Sequence, residues 1–319
     1  MTGRYARPLV ESALLAALGS VLVLVGYYLP FIGPLAIFIW PLPSAIAVLR
    51  HGVRWGVLCS VVTGLSLLMF IDWITAVGFW LAFAVTGVTF GYTVRRSMSS
   101  PTVVLLTAVA ALVGIVAALA SAYFVAGFTP EKLIDEYIES VKLAVEMNRK
   151  ILGSNPALEQ FAQVSQMKDM LLKLFPSSVL LAALLQSYVN FEISRRVLAR
   201  LQMRIDPLPP FSRWILPEFI AHAAILSYMV IILEPYHKTP VLTRAAENVL
   251  LFLSFLLLVE AFSAISYYLL RVGVPRVLVG LICFYLFTIP SVSTLLAFFG
   301  IIDILFDFRR LRYGWIDEL

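Results

Sequence analysis

Residues 102–127 run without a single charged side chain, and no other feature of the chain limits its possible folds so much. A helix needs about 20 apolar residues to cross about 30 Å of hydrocarbon. Comparable runs recur near 8–29, 32–49, 54–71, 74–94, 177–198, 214–233 and 246–270. A last apolar region, 275–308, is too long for one straight helix, and Pro290 near its middle predicts a broken helix or a tight pair. Lipid offers no water to open backbone groups, so every crossing segment must be helical. The expected fold is all-α, a polytopic transmembrane helix bundle of about 8–10 spans.

Composition leads to the same class. Of 319 residues, 61% are hydrophobic and 13% charged, against roughly 25% charged in soluble domains. Such a chain cannot coat a globule in water, so its solvent is the lipid bilayer and a soluble enzyme is excluded. Cys59 and Cys283 both lie in apolar runs, which reads as small buried hydrophobes and not as a disulfide framework or metal pattern. Arg4 and Arg7 precede a long span without a small-residue cleavage site, so the N-terminal run reads as a first transmembrane helix and not as a signal peptide.

The basic residues predict orientation. With the N-terminus inside, beside Arg4 and Arg7, every second boundary is arginine-rich: Arg50 and Arg54, Arg95 and Arg96, the cluster from Arg195 to Arg213, Arg271 and Arg276, and the tail at Arg309, Arg310 and Arg312. The opposite boundaries hold Asp72, Glu234 and Lys238. This positive-inside pattern places both termini in the cytoplasm of a bacterial cytoplasmic membrane. It also accounts for the net charge of +5 by topology, leaving nothing to suggest nucleic acid as a partner.

One substantial polar piece, 128–173, falls on the outer side. Thr129 and Pro130 mark a helix start. Ile134, Ile138, Val141 and Val145 then form an apolar stripe among Glu131, Asp135, Glu139, Lys142 and Glu146. Ser154, Asn155 and Pro156 predict a break and a second helix to about Phe175, giving an extracytoplasmic amphipathic hairpin. The chain thus divides into an N-terminal five-helix half at 1–127, the outer hairpin at 128–173, and a C-terminal half at 174–319. The hairpin is open to three uses: a membrane-surface element, a lid, or a protein contact.

Polar groups inside apolar runs carry the functional expectations, because burying them in lipid is costly. Glu260 sits near the middle of its run with no Lys or Arg close in sequence. Such a carboxylate is protonated, paired across helices, or beside water. It is a candidate proton- or ligand-binding group, with a structural glutamate as the alternative. Gln186 and Asn190 share a helix face and either bind a ligand or hold helices together. Glu218 and His222 are four apart after Pro217, a spacing that suits proton relay or ligand contact, but no third metal ligand is evident. Asp303 and Asp307 lie beside Arg309 and Arg310, as in an interfacial ion-pair cluster. Prolines 30, 34, 41 and 43 imply broken helix near 27–43, favouring either a pocket or a tight aromatic turn. Ala13 and Ala17, with Ser20 nearby, form a small-residue surface for a close helix contact. No HExxH, GxSxG, P-loop or dinucleotide fingerprint occurs, so neither catalysis nor a cofactor is expected.

Several patches together resemble a known family. They are Pro41-Leu42-Pro43 with Leu49-Arg50-His51-Gly52, Gly87 and Gly91 before Arg95-Arg96, Asn190 before Arg195-Arg196, Trp214 with Leu216-Pro217, and Gly300-Ile301-Ile302-Asp303 before Asp307-Phe308-Arg309-Arg310. In this order they resemble the YybS-like family of bacterial multi-pass membrane proteins. The N-terminal half is also similar to the S components of energy-coupling factor vitamin transporters, whose first helix carries an AxxxA contact motif, here matched by Ala13 and Ala17. That resemblance implies a small-molecule, vitamin-type binding module working with a coupling-type membrane subunit. A homo-oligomer, or a non-transporting scaffold acting through helix and hairpin contacts, is the alternative.

Overall fold

The computed structural model describes residues 3–29, 36, 38–152 and 168–311. All regular structure among them is helical. The helices are α1 Gly3–Tyr28, α2 Leu42–His51, α3 Val53–Leu67, α4 Trp73–Arg95, α5 Ser100–Ala126, α6 Pro130–Leu152 and α7 Lys168–Arg200. After a 3-10 turn at Phe211–Arg213 come α8 Glu218–Ile232, α9 Glu234–His237, α10 Pro240–Arg271, α11 Arg276–Phe287 and α12 Pro290–Phe306.

The burial pattern is that of a bundle in lipid. On α5, Leu105, Val109, Val113 and Val116 are exposed, while Thr107, Ala108, Ala110, Ala111 and Gly114 are buried. The large apolar side chains face outward and the small ones face the neighbouring helix. An exposed apolar stripe of this kind is unfavourable in water and suits hydrocarbon, with small residues allowing close helix approach.

Among the described residues, five helices, α1, α4, α5, α7 and α10, are long and apolar enough to cross a membrane. The pair α11 and α12, bent by 110° at Pro290, makes a sixth if counted as one span. The bend agrees with the broken last region expected from Pro290. Against an expectation of about 8–10 spans, five or six candidates are found among the described residues. Segments 54–71 and 214–233 form α3 and α8, of only 15 residues each, or about 22 Å at 1.5 Å per residue. α3 stops at Leu67, short of the expected 71, and Pro217 delays α8 from the expected 214 to Glu218. Of 32–49, only the second part forms a described helix, α2, and residues 30–35 and 37 of the proline-rich stretch lie outside the described residues.

The amphipathic helix expected from Thr129 is present as α6. The Lys132 N–H donates to Thr129 Oγ1 at 3.3 Å. The Thr129 hydroxyl also holds the Glu131 carboxyl below its ordinary range. Ile134 and Ile138 are buried. The expected break at Ser154, Asn155 and Pro156 lies outside the described residues. From Lys168 onward the second arm is not separate, because α7 continues through Pro176 without interruption to Arg200.

The chain forms two compact units. The first comprises 1–175 and 179–208. Its α2 is enclosed from Leu42 to Val48, and α4 lies across it at Gly87 and Gly91. A methyl on Gly87 would come 2.4 Å from the Pro41 carbonyl oxygen, and one on Gly91 2.8 Å from that of Ala45. The core gathers Leu42, Ala45, Ile46, Phe90, Val103, Phe191 and Leu198. The second unit comprises 176–178 and 209–319. Its core joins Ile220, Ala221 and Ala224 of α8 to Leu253 and Leu257 of α10 and to Ala297, Ile301 and Ile304 of α12.

Candidate functional site

In the second unit, α10 places Glu260 and Ser263 on one face, one turn apart, and α12 brings Asp303 to them. The α12 helix ends at Asp307, whose left-handed φ of 42° turns the chain back, and Arg309 then reaches inward. Its Nε and Nη2 donate to Asp303 Oδ2 at 3.0 and 2.7 Å. Nη2 also donates to Glu260 Oε1. Nη1 donates to Ser263 Oγ at 2.7 Å and to the Ser212 carbonyl at 3.3 Å. Glu260 Oε2 accepts from the Leu216 N–H at 2.8 Å. The Ser263 hydroxyl lies 2.8 Å from the Phe211 and Trp214 carbonyls and donates to one of them at a time.

All three charged side chains are completely enclosed. Burying ions is costly, and such a pair is tolerated only when nearly every donor and acceptor is met. Here one guanidinium serves two carboxylates, and Asp303 Oδ1 alone lacks a partner. Glu260 is therefore paired across helices, one of the three states its sequence context allowed. Asp303 and Arg309 do pair, as their spacing suggested, but in the interior and not at an interface. Asp307 instead accepts from the Leu311 N–H at 3.0 Å. The cluster ties together α10, α12, the 211–216 connector and the chain beyond α12.

The first unit holds a small aromatic cavity of about 30 Å³, between α1, α2, α3 and α4. That is room for about two water molecules. Trp40, Phe79, Trp80 and Phe83 supply rings, and Ser44, Ser60 and Thr63 supply hydroxyls. Trp40 packs edge-on against Phe79 and Phe83 at 5.2 and 4.6 Å, and its Nε1 donates to the Leu22 carbonyl at 2.8 Å. Ser44 and Thr63 also bond to backbone carbonyls. Trp80 Nε1, by contrast, is buried without a partner. An unmet buried donor costs about 1–3 kcal/mol, and Trp80 is one of the residues that line the cavity. Trp40 and Pro43 come from the proline-rich stretch expected to favour a pocket. Trp80 and Ser60 had no sequence signal, because each looks like an ordinary residue of an apolar helix.

The other candidates fall elsewhere. Gln186 and Asn190 share a buried face of α7 in the first unit. Asn190 Nδ2 donates to the Phe38 carbonyl at 2.8 Å, while Asn190 Oδ1 and Gln186 Nε2 have no partner. Glu218 and His222 are exposed on α8, and the His222 ring meets the Glu218 backbone oxygen at 2.9 Å, not its carboxylate. No group of three metal-ligating side chains occurs among the described residues. Ser20 is buried and bonded to the Ala16 carbonyl and Ser66 Oγ at 2.9 and 2.5 Å. Ala13 and Ala17 are exposed, so the packed seam of α1 is Ser12, Ala16, Gly19 and Ser20.

A helical bundle with lipid-facing apolar stripes and its ionic groups locked inside is a multi-pass membrane protein. The chain belongs to the family described as "Predicted membrane protein (DUF2232)", whose model matches residues 17–304. It is similar to the "Uncharacterized protein YybS" of Bacillus subtilis (strain 168), at 21% identity over 307 residues, covering 95% of this chain and 98% of that one. This agrees with the YybS-like resemblance in the sequence. No solved structure matches.

Proposed function

We propose that the chain is the membrane-embedded binding component of a small-molecule transport system, with its ligand subsite at the Trp40–Trp80 cavity of the first unit. The observation that carries this reading is Trp80, whose buried N–H has no partner and which lines a cavity walled by four aromatic rings. Aromatic walls with a few convergent polar groups are what small-molecule sites present. The cavity's 30 Å³ is smaller than a vitamin-sized molecule, so binding requires the α3 and α4 walls to part. In this reading the bundle lies in a bacterial cytoplasmic membrane with both termini cytoplasmic, as the arginine-rich boundaries favour. Ala13 and Ala17, exposed on α1, offer the close-approach surface for a coupling-type membrane subunit, in line with the S-component resemblance. The protein binds and hands over its ligand without a catalytic step.

A second reading, a non-transporting scaffold, is favoured by Glu260. Both of its oxygens are engaged, so the most conspicuous intramembrane acid acts as a fastener and not as a ligand group. Mass spectrometry of small molecules retained by the purified protein separates the two readings. Trp80→Phe keeps the ring and removes the N–H. Loss of a retained compound in that variant supports binding at this cavity. Identical small-molecule profiles, with a stoichiometric protein partner recovered from both forms, would sink the transport reading.

A further inference from the structure

A second cavity of the first unit, about 540 Å³, opens where α3 begins and α4 ends. It is lined by Arg54, Arg95, Arg96 and His51, with Trp55 and Tyr92. Its charge is not offset. The nearby carboxylate, Glu11, is engaged by Arg7 at 2.8 Å, Arg50 at 3.3 Å and His51 at 2.8 Å. No ion pair joins Arg54, Arg95 or Arg96 to an acid among the described residues. Arg95 and Arg96 each have a local partner. Arg95 Nη1 donates to the Val48 carbonyl at 3.0 Å, and Arg96 lies 5.4 Å over the Tyr92 ring. Gly52 also lines the cavity, at a left-handed φ of 101° that favours glycine, and a methyl there would come 2.8 Å from Arg95 Nη1.

We propose that this cavity binds the phosphate of an anionic phospholipid headgroup. Three arginines lining one cavity, with no carboxylate in its lining, match a phosphate diester, which accepts paired N–H donors. Its place at the end of the membrane-crossing α4, beside Trp55 and Tyr92, is the headgroup level where such rings anchor. The lipid, and not free phosphate, is indicated by what continues from it. Arg54, Leu58, Val62 and Leu65 follow one another along one face of α3, and all four are exposed. A headgroup held at Arg54 therefore lays its acyl chain along Leu58, Val62 and Leu65. The site is separate from the aromatic cavity, and the proposal stands whether or not that cavity binds a ligand.

The test uses the full chain in nanodiscs of phosphatidylcholine with increasing phosphatidylglycerol, and native mass spectrometry to count the lipids retained. Each arginine near an anionic membrane surface contributes roughly fivefold in affinity. Arg54→Gln should weaken phosphatidylglycerol retention about fivefold and Arg54→Gln with Arg96→Gln about twenty-five-fold, with phosphatidylcholine retention unchanged. If the double variant does not fold, the Arg54→Gln single variant decides the matter by the same readout. Equal phosphatidylglycerol retention by wild type and variant overturns the proposal. So does inorganic phosphate that displaces the retained lipid at comparable concentration, which would assign the cavity to a free anion.

Discussion

Arg309 grips a single oxygen of Asp303 with two of its nitrogens, at 3.0 and 2.7 Å, from six residues further along the chain. The same guanidinium also holds Glu260 and Ser263. Arg309→Met removes the one positive charge and strands two enclosed carboxylates, which costs about 3–5 kcal/mol. Asp303→Asn keeps an acceptor for the guanidinium and puts its amide where Oδ1 has no partner, so it costs less, about 1–2 kcal/mol. Unfolding of the two variants in mixed detergent micelles checks the order. Equal losses would show that the cluster does not depend on its central arginine.

Asp72 caps α4 by accepting from the Thr75 N–H at 2.9 Å. That backbone hydrogen bond holds its carboxyl below the ordinary aspartate range. A depressed pKa means that the cap contributes at pH values above the unfolded value, near 3.9, and is lost as pH falls through the folded one. Asp72→Ala should therefore cost about 1 kcal/mol at neutral pH, and the difference from wild type should shrink below about pH 4. Melting curves for both forms between neutral and acid pH measure this. A gap that persists unchanged at pH 3 would contradict the cap.

The class of fold was legible because lipid leaves only helices and closed barrels to satisfy a spanning backbone, and apolar runs of about 20 residues suit the helix. The lengths of the spans were less so. Hydropathy runs past Leu67 and through Pro217 without a break, yet α3 ends at Leu67 and α8 starts only after Pro217. Hydropathy likewise starts a span at 177, whereas α7 begins at Lys168 with charged turns ahead of Pro176. Glu260 stood out as a charge in an apolar run. Its partner did not, because Arg309 lies 49 residues away beyond a helix end, in what reads as an ordinary basic tail. Trp80 was invisible for the opposite reason. Its unmet N–H is a property of the packing around it, and no spacing pattern encodes that.

Gly300 explains how Asp303 comes so near Glu260. A methyl at 300 would lie 2.3 Å from the Leu257 carbonyl oxygen, a backbone atom that cannot swing aside. Leu257 and Gly300 each lie three residues before one of the two acids, so this contact sets the separation of α10 and α12 one turn from the cluster. Gly300→Ala should destabilise the second unit by about 2–3 kcal/mol. It should also draw Asp303 away from Arg309, so Asp303→Asn should cost less in the Gly300→Ala background than in wild type. A double-mutant cycle with additive losses would show that the glycine and the cluster are independent.

The surface of α1 gives a sharper contrast, between two neighbouring alanines. Ala16 is 1% exposed, and its carbonyl accepts from Thr63 and Ser20. Ala17 belongs to the open face with Ala13. A leucine at 16 must push α3 away and should cost about 1–3 kcal/mol. Position 17 is exposed among the described residues, so a leucine there should change stability by less than about 0.5 kcal/mol. If Ala13 and Ala17 contact a coupling subunit, Ala17→Leu should weaken recovery of that subunit while leaving the melting temperature of the isolated chain unaltered. A loss of intrinsic stability at position 17 as large as at position 16 would mean that this face is already packed within the chain and is not available to a partner.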